Sequence, residues 1–295
     1  TALTLVPGAQ GDGAQDGGAQ NSGVQADSGR PTVIAEFSVT LEPNTSTEFS
    51  WSLRASDSAA SFAGVDEPSL VESLPAVADD ASAEARRVHQ LLEQSLSDLS
   101  SLRLSRSDDA SQAFLAAGAP WFFTLFGRDS LIAASLLAPV TSDLAARTVR
   151  TLAAQQGTKV DVETAEQPGK ILHEVRAVGM DMGDAYLPPV YYGTIDATGL
   201  WVQLVSDLDK AGDDVTDLAE NVARAADWLL NHSDADGDFF LEYIDESGHG
   251  LANQGWKDSG DSVRFANGTI AEGPIALCEV QAYAYEACPV SYTHL

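Results

Sequence analysis

Residues 81–102 read ASAEARRVHQLLEQSLSDLSSL, and this stretch decides the fold class. Small or apolar side chains recur every three to four positions, with polar and charged ones between them. That is the period of a helix with one buried face. Upstream the rhythm differs. Residues 32–40 (TVIAEFSVT) and 47–54 alternate roughly one by one between apolar and polar, around the turn segment LEPNT. A period of two predicts a β-hairpin, suited to the last strands of a sandwich.

Working outward, residues 7–31 are rich in Gly, Gln, Asp and Ala with little to bury, so disorder or a long surface loop is expected. Residues 57–80, rich in Ser, Ala and Asp, read as a linker. Further helical periods cover 130–154, 196–210, 216–231 and 269–287. Long polar loops at 155–195 and 232–268 hold 11 of the 24 Gly and four of the seven Tyr. Helices with such loops gathered at one end suit an α-barrel whose loops build a pocket. A plain helical bundle with ordinary surface loops is the competing arrangement. The expected domains are residues 1–56, the end of a β-sandwich, and 81–295, a helical domain.

The chain has 295 residues, long enough for one large domain or two ordinary ones. Its 44 acidic residues outnumber 16 basic ones, for a net charge of -28. Nucleic acid and anionic membrane surfaces are poor partners for that balance. No apolar run is long enough for a membrane span, and no signal peptide is visible, which points to the cytoplasm. Two cysteines, Cys278 and Cys288, exclude a small disulfide scaffold. The absent initiator Met and the abrupt end suggest a fragment.

Several stretches carry chemistry-bearing residues. In APWFFTLFGRDS (119–130), Asp129 or Ser130 can cap a helix and the aromatics can be core. Alternatively Arg128 and Asp129 form a fork for vicinal hydroxyls, with Trp121 as a stacking wall. GKILHEVR (169–176) holds His173, Glu174 and Arg176, which read as a local ion pair. It is not a zinc helix, because residue 177 is Ala where a second His is needed. YYGTIDAT (191–198) offers Tyr191 and Tyr192 as lining residues, and Asp196 as a cap or a ligand contact. DADGDFFLEY (234–243) begins like a calcium loop, but positions 6 and 12 are Phe239 and Asp245 where an EF-hand has Gly and Glu. An Asp/Gly turn is the expectation there, with no metal and no cofactor. LANQGWKDSGDSVRF (251–265) sets Asp258 and Asp261 beside Trp256 and Lys257, either on a solvated turn or in the wall of a polar pocket. Aspartates so close more often supply one acid and one helper than an acid/base pair, whose carboxyls stand about 6.5–9.5 Å apart in inverting glycosidases.

Taken together, PWFFTLFGRDSL, LAAQQGT, EQPGKILHEVR, YYGTIDAT, DGDFFLEY and the long string from Leu251 to Tyr283 resemble the bacterial glycogen debranching, amylo-α-1,6-glucosidase-like family. The likeness covers most of residues 118–286. It implies a mainly α chain, part of an (α/α)6 toroid preceded by the end of a β-sandwich. It implies hydrolysis of an α-glucan or small α-glucoside with inversion, Asp258 being the general acid and Asp261 its rival. Arg128 and Asp129 match the pair that grips the terminal glucose, while His173, Glu174 and Arg176 match a pocket string without an assigned role. Gly260 stands where related enzymes have Trp before the Asp, which bears on Asp261. The general base would be a Glu beyond residue 295, so the chain by itself is expected to be inactive. A non-catalytic carbohydrate-binding protein, or a hydrolase of another α-glucoside such as trehalose, are the alternatives.

Overall fold

The computed structural model describes residues 2–7, 25–27, 30–32, 40, 43–46, 51–56, 60–183 and 185–293. It divides into two compact units, residues 1–59 and 60–295.

In the first unit the strands are β1 (Ala2–Pro7), β2 (Gln25–Asp27), β3 (Arg30–Thr32) and β4 (Trp51–Ser56). β1 pairs antiparallel with β4, placing Leu5 opposite Leu53, and β2 pairs with β3. The expected hairpin between 32–40 and 47–54 lies largely outside the described residues. Its described portion, from Trp51, takes β1 as partner. Within the segment expected to be disordered, β2 and the start of β3 are ordered as a short hairpin, and the rest lies mostly outside the described residues.

The second unit carries the helices. α1 (Ala83–Ser101) opens on Ser82, whose Oγ accepts the Ala85 N–H at 3.2 Å and satisfies a first-turn donor. The single helix expected over 130–154 is two, α2 (Gly127–Leu137) and α3 (Asp143–Ala153). Pro139 lies between them and has no N–H to extend the ladder. α4 (Ala197–Ala211) stops at Gly212, whose φ of 94° is the left-handed cap that glycine adopts freely. α5 (Ala219–Asn231) follows a single 3-10 turn, Thr216–Leu218. α6 (Cys278–Thr293) starts later than the expected 269–287.

That late start has a cause in strand pairing. β5 (Phe62–Gly64), β6 (Arg103–Arg106) and β7 (Ala113–Leu115) form an antiparallel sheet in that order. Four further strands sit in the 155–195 loop: β8 (Glu174–Val175), β9 (Met180–Asp181), β10 (Tyr186–Leu187) and β11 (Val190–Tyr191). β8 pairs with β11, and β9 with β10. β12 (Glu242–Tyr243) pairs with β13 (Ile275–Ala276), so residues just before α6 are extended. The polar loops thus satisfy much of their backbone locally. The expectation of a mainly α chain is corrected to a mixed architecture of six helices and small antiparallel sheets, with no closed barrel among the described residues.

Residues 57–80 include β5 and a 3-10 turn, Leu70–Ser73. Leu70 is buried with Leu96, Ala113, Leu115, Leu137 and Leu144. The main core is organised around α4, which packs on α2, α3, α5 and α6. Trp201 of α4 is fully buried and donates its indole N–H to the Val149 carbonyl at 2.9 Å. Trp228 of α5 donates to Gln167 Oε1 at 2.7 Å. Both rings bury a large apolar surface without orphaning a donor. Among the described residues no helix is long and apolar enough to cross a membrane, and no disulfide joins Cys278 to Cys288.

Candidate functional site

Three of the sequence motifs are lashed into one narrow ribbon. The Val175 N–H donates to the Leu125 carbonyl at 3.0 Å, and the Gly127 N–H to the His173 carbonyl at 2.8 Å. Thr124 Oγ1 donates to the Val175 carbonyl. On the other edge, the His173 N–H donates to the Tyr191 carbonyl at 2.7 Å and the Arg176 N–H to the Pro189 carbonyl at 2.7 Å. A Cβ on Gly127 would lie 2.2 Å from the Leu172 carbonyl oxygen, so glycine permits α2 to start against this ribbon. Arg128 and Asp129 then fall in the first turn of α2.

Arg128 is the hub. Its Nη1 donates to Asp196 Oδ2 at 3.0 Å, and its Nη2 lies 3.5 Å from Asp258 Oδ2. Arg128 and Asp196 are buried, at 9% and 2% exposure, whereas Asp258 is half-exposed. Asp196 precedes α4 but makes no capping bond with its side chain. One carboxylate oxygen takes Arg128, and the other accepts Thr194 Oγ1 at 2.7 Å. Asp129 is the third carboxylate here. Burial pushes it up, the Arg128 charge opposes that, and the Asp196 and Asp258 charges add to it. One guanidinium therefore contacts two carboxylates, and burial holds the neighbouring Asp129 carboxyl above its ordinary range. Tyr283 of α6 is also pushed up, by burial first and then by Asp196 and Glu279. Tyr283 and Thr194 were not anticipated: Tyr283 sits in an ordinary helical period, and Thr194 in a Gly turn.

His173 adjoins this hub. Its ring lies edge-on between Phe126 and Tyr191, at centroid distances of 5.5 and 5.9 Å. Burial, then the charges of Arg128, Arg176 and Lys170, push it down to about 3. The folded state holds the ring neutral, while the unfolded chain takes up a proton below about 6.5. His173 therefore contributes stability that is full above pH 6.5 and is lost as pH falls toward 3. In His173→Asn, urea unfolding measured across that window should show a slope shallower by up to ~1.4 kcal/mol per pH unit, one proton's worth. An unchanged acid limb would refute a buried neutral ring.

The remaining expected residues divide. Glu174, 1% exposed, takes Arg176 in a two-pronged contact at 3.1 and 2.9 Å. Arg176 lies 5.7 Å above the Phe126 ring and donates to the Trp121 carbonyl at 3.3 Å. The Trp121 ring itself is exposed. The Tyr191 hydroxyl accepts the Leu251 N–H at 3.0 Å, anchoring the loop that carries Asp258, and burial pushes it up to about 12. Tyr192 points elsewhere and donates to the Gln155 carbonyl at 2.7 Å, outside the hub. Trp256 is exposed, with Lys257 Nζ 5.0 Å from its ring centroid. Asp261 is drawn off to Arg264, 3.2 Å away at the exposed tip. Asn253 holds the loop's base, accepting from the Tyr243 hydroxyl at 2.8 Å and donating to the Ser259 carbonyl at 2.7 Å.

The structure thus gathers Arg128, Asp129, Asp196 and Asp258, with His173 beside them, and leaves Tyr192 and Asp261 out. A separate cleft of about 470 Å³ is lined by Lys170, Trp228, Glu166, Tyr243 and Glu242 among others. None of the four hub residues lines it. The hub is the stronger candidate for chemistry, because buried opposite charges and a half-exposed carboxyl converge there. Lys170, in the cleft wall, is lowered to about 8 by burial. No protein-family model matches the chain, and no curated protein matches it.

Proposed function

We propose that the hub is the acid side of a glycoside hydrolase site that removes α-linked glucose, foremost the α-1,6 branch glucose of glycogen or limit dextrin, with inversion. The observation that carries this is the sorting of the two loop aspartates. Asp258 turns inward to Arg128, and Asp261 turns outward to Arg264. Asp258 is then the general acid, donating its proton to the glycosidic oxygen. Arg128 and Asp129 grip vicinal hydroxyls, the guanidinium donating and the carboxyl accepting or donating. Trp256 and Trp121 offer exposed faces for the apolar side of a sugar ring. A carboxylate across the ring activates the attacking water. The accompanying fold is the first half of an (α/α)6 toroid, and the setting is cytoplasmic.

A second function draws on the same contact. A carboxyl engaged by a guanidinium must be released before it can donate, whereas a binding protein can use the pair as it stands. The alternative is a non-catalytic α-glucan binder.

Both are tested first by calorimetric titration of the chain with isomaltotriose and maltotriose. Saturable binding is expected, weakened about tenfold in Trp256→Ala, the effect of losing one ring contact worth ~1.4 kcal/mol. Trp256 is exposed at 57%, so its removal leaves the fold intact. No saturable heat with either sugar up to ~10 mM, well above the ~1 mM Kd of a weak small-ligand site, would sink both.

A further inference from the structure

We propose that Asp234, Asp236, Asp238 and Glu242 form a calcium site between the end of α5 and β12. In DADGDFFLE the carboxylates stand at the first, third, fifth and ninth positions. One oxygen from each lies within 4.8 Å of all the others. Ligands facing each other across a calcium ion, each about 2.3–2.6 Å from it, are separated by about that much.

Closeness among exposed acids would mean little. Glu242 supplies the decisive observation. It is 8% exposed, and its Oε2 is buried without a hydrogen-bond partner. Its backbone is fixed, since its N–H donates to the Ser233 carbonyl at 2.7 Å and β12 is paired to β13. A buried carboxylate oxygen is ordinarily satisfied, and a buried charge is ordinarily paired. The side chains gathered with Glu242 are three more carboxylates.

The donor chemistry selects the ion. All four donors are carboxylate oxygens, with no His or Cys among them. That disfavours zinc and copper and suits calcium or magnesium. Magnesium demands a tighter octahedron at about 2.0–2.1 Å, so calcium fits a wider cage better. The twelve-residue count fails at Phe239 and Asp245 because the closing carboxylate comes early, at the ninth position, from a strand and not from a following helix. Asp234, Asp236 and Glu242 also line the 470 Å³ cleft. An ion there would tie the end of α5 to the β12–β13 pair that leads into α6, and so set one wall of the cleft.

The test is calorimetric titration of the EDTA-treated chain with CaCl2 and separately with MgCl2, beside Glu242→Gln and Asp236→Asn. The expected result is one calcium per chain with a Kd at or below ~1 mM, at least tenfold tighter than magnesium, together with a calcium-dependent rise in Tm. Each variant should weaken calcium at least tenfold, with far-UV circular dichroism confirming an unchanged fold. No calcium binding up to ~10 mM would overturn the site, since even weak extracellular modules saturate there. Unaltered affinity in Glu242→Gln would overturn it equally, whatever Asp236→Asn does, because Glu242 is the inner ligand.

Discussion

Arg128→Met is expected to lower the unfolding free energy by about 3–5 kcal/mol, the effect of removing one partner from a buried ion pair. The reason lies in what remains. Asp196 is 2% exposed, and without the guanidinium the Thr194 hydroxyl is its remaining side-chain donor among the described residues. Asp129 and Asp258 would add their charges to an uncompensated anion. Arg128→Lys should fall between, since a single ammonium cannot reproduce the two contacts at 3.0 and 3.5 Å. Pairing Arg128→Met with Asp196→Asn should recover most of the loss, because the stranded charge is then gone. Urea unfolding of the four proteins checks this. A double variant no more stable than Arg128→Met would show that the two residues are not coupled.

Asp258→Asn should reduce glucose release by ~10² or more, the contribution of a positioned general acid. Asparagine retains the size of the side chain and a hydrogen bond to the sugar oxygen, but it has no proton to give. Asp258 is half-exposed and contributes one long contact, so the variant should fold. Asp261→Asn should stay within about threefold of the parent, since surface changes away from such features shift free energies by only ~0.5 kcal/mol. Asp261 is exposed and paired to Arg264 three residues on.

How far the sequence reveals this arrangement depends on what each signal measures. Apolar periodicity reports burial of a face, and it locates α1, α4 and α5 within a few residues. It does not report backbone interruptions. Pro139 splits the expected 130–154 helix, and the pairing of Ile275–Ala276 with β12 delays α6. The motif strings mark Arg128, Asp129, Asp196 and Asp258 as candidates, but helix capping or a solvated turn accounts for the same residues in the sequence. That they meet is not legible, since the meeting depends on the ribbon of 124–127, β8 and β11 and on Tyr191 anchoring Leu251. Spacing along the chain likewise cannot separate Asp258 from Asp261. Their partners, Arg128 and Arg264, settle which carboxyl faces inward. In the 234–242 segment, counting against a twelve-residue loop hides a carboxylate that arrives from a strand at the ninth position.

The most direct measurement is glucose release from a branched limit dextrin by the full-length protein, beside its Asp258→Asn and Asp261→Asn forms. The account predicts release by the parent, a loss of ~10² or more in Asp258→Asn, and near-parental rates in Asp261→Asn. Full activity in Asp258→Asn, or no glucose from the parent on this or any α-glucoside tried, would contradict it.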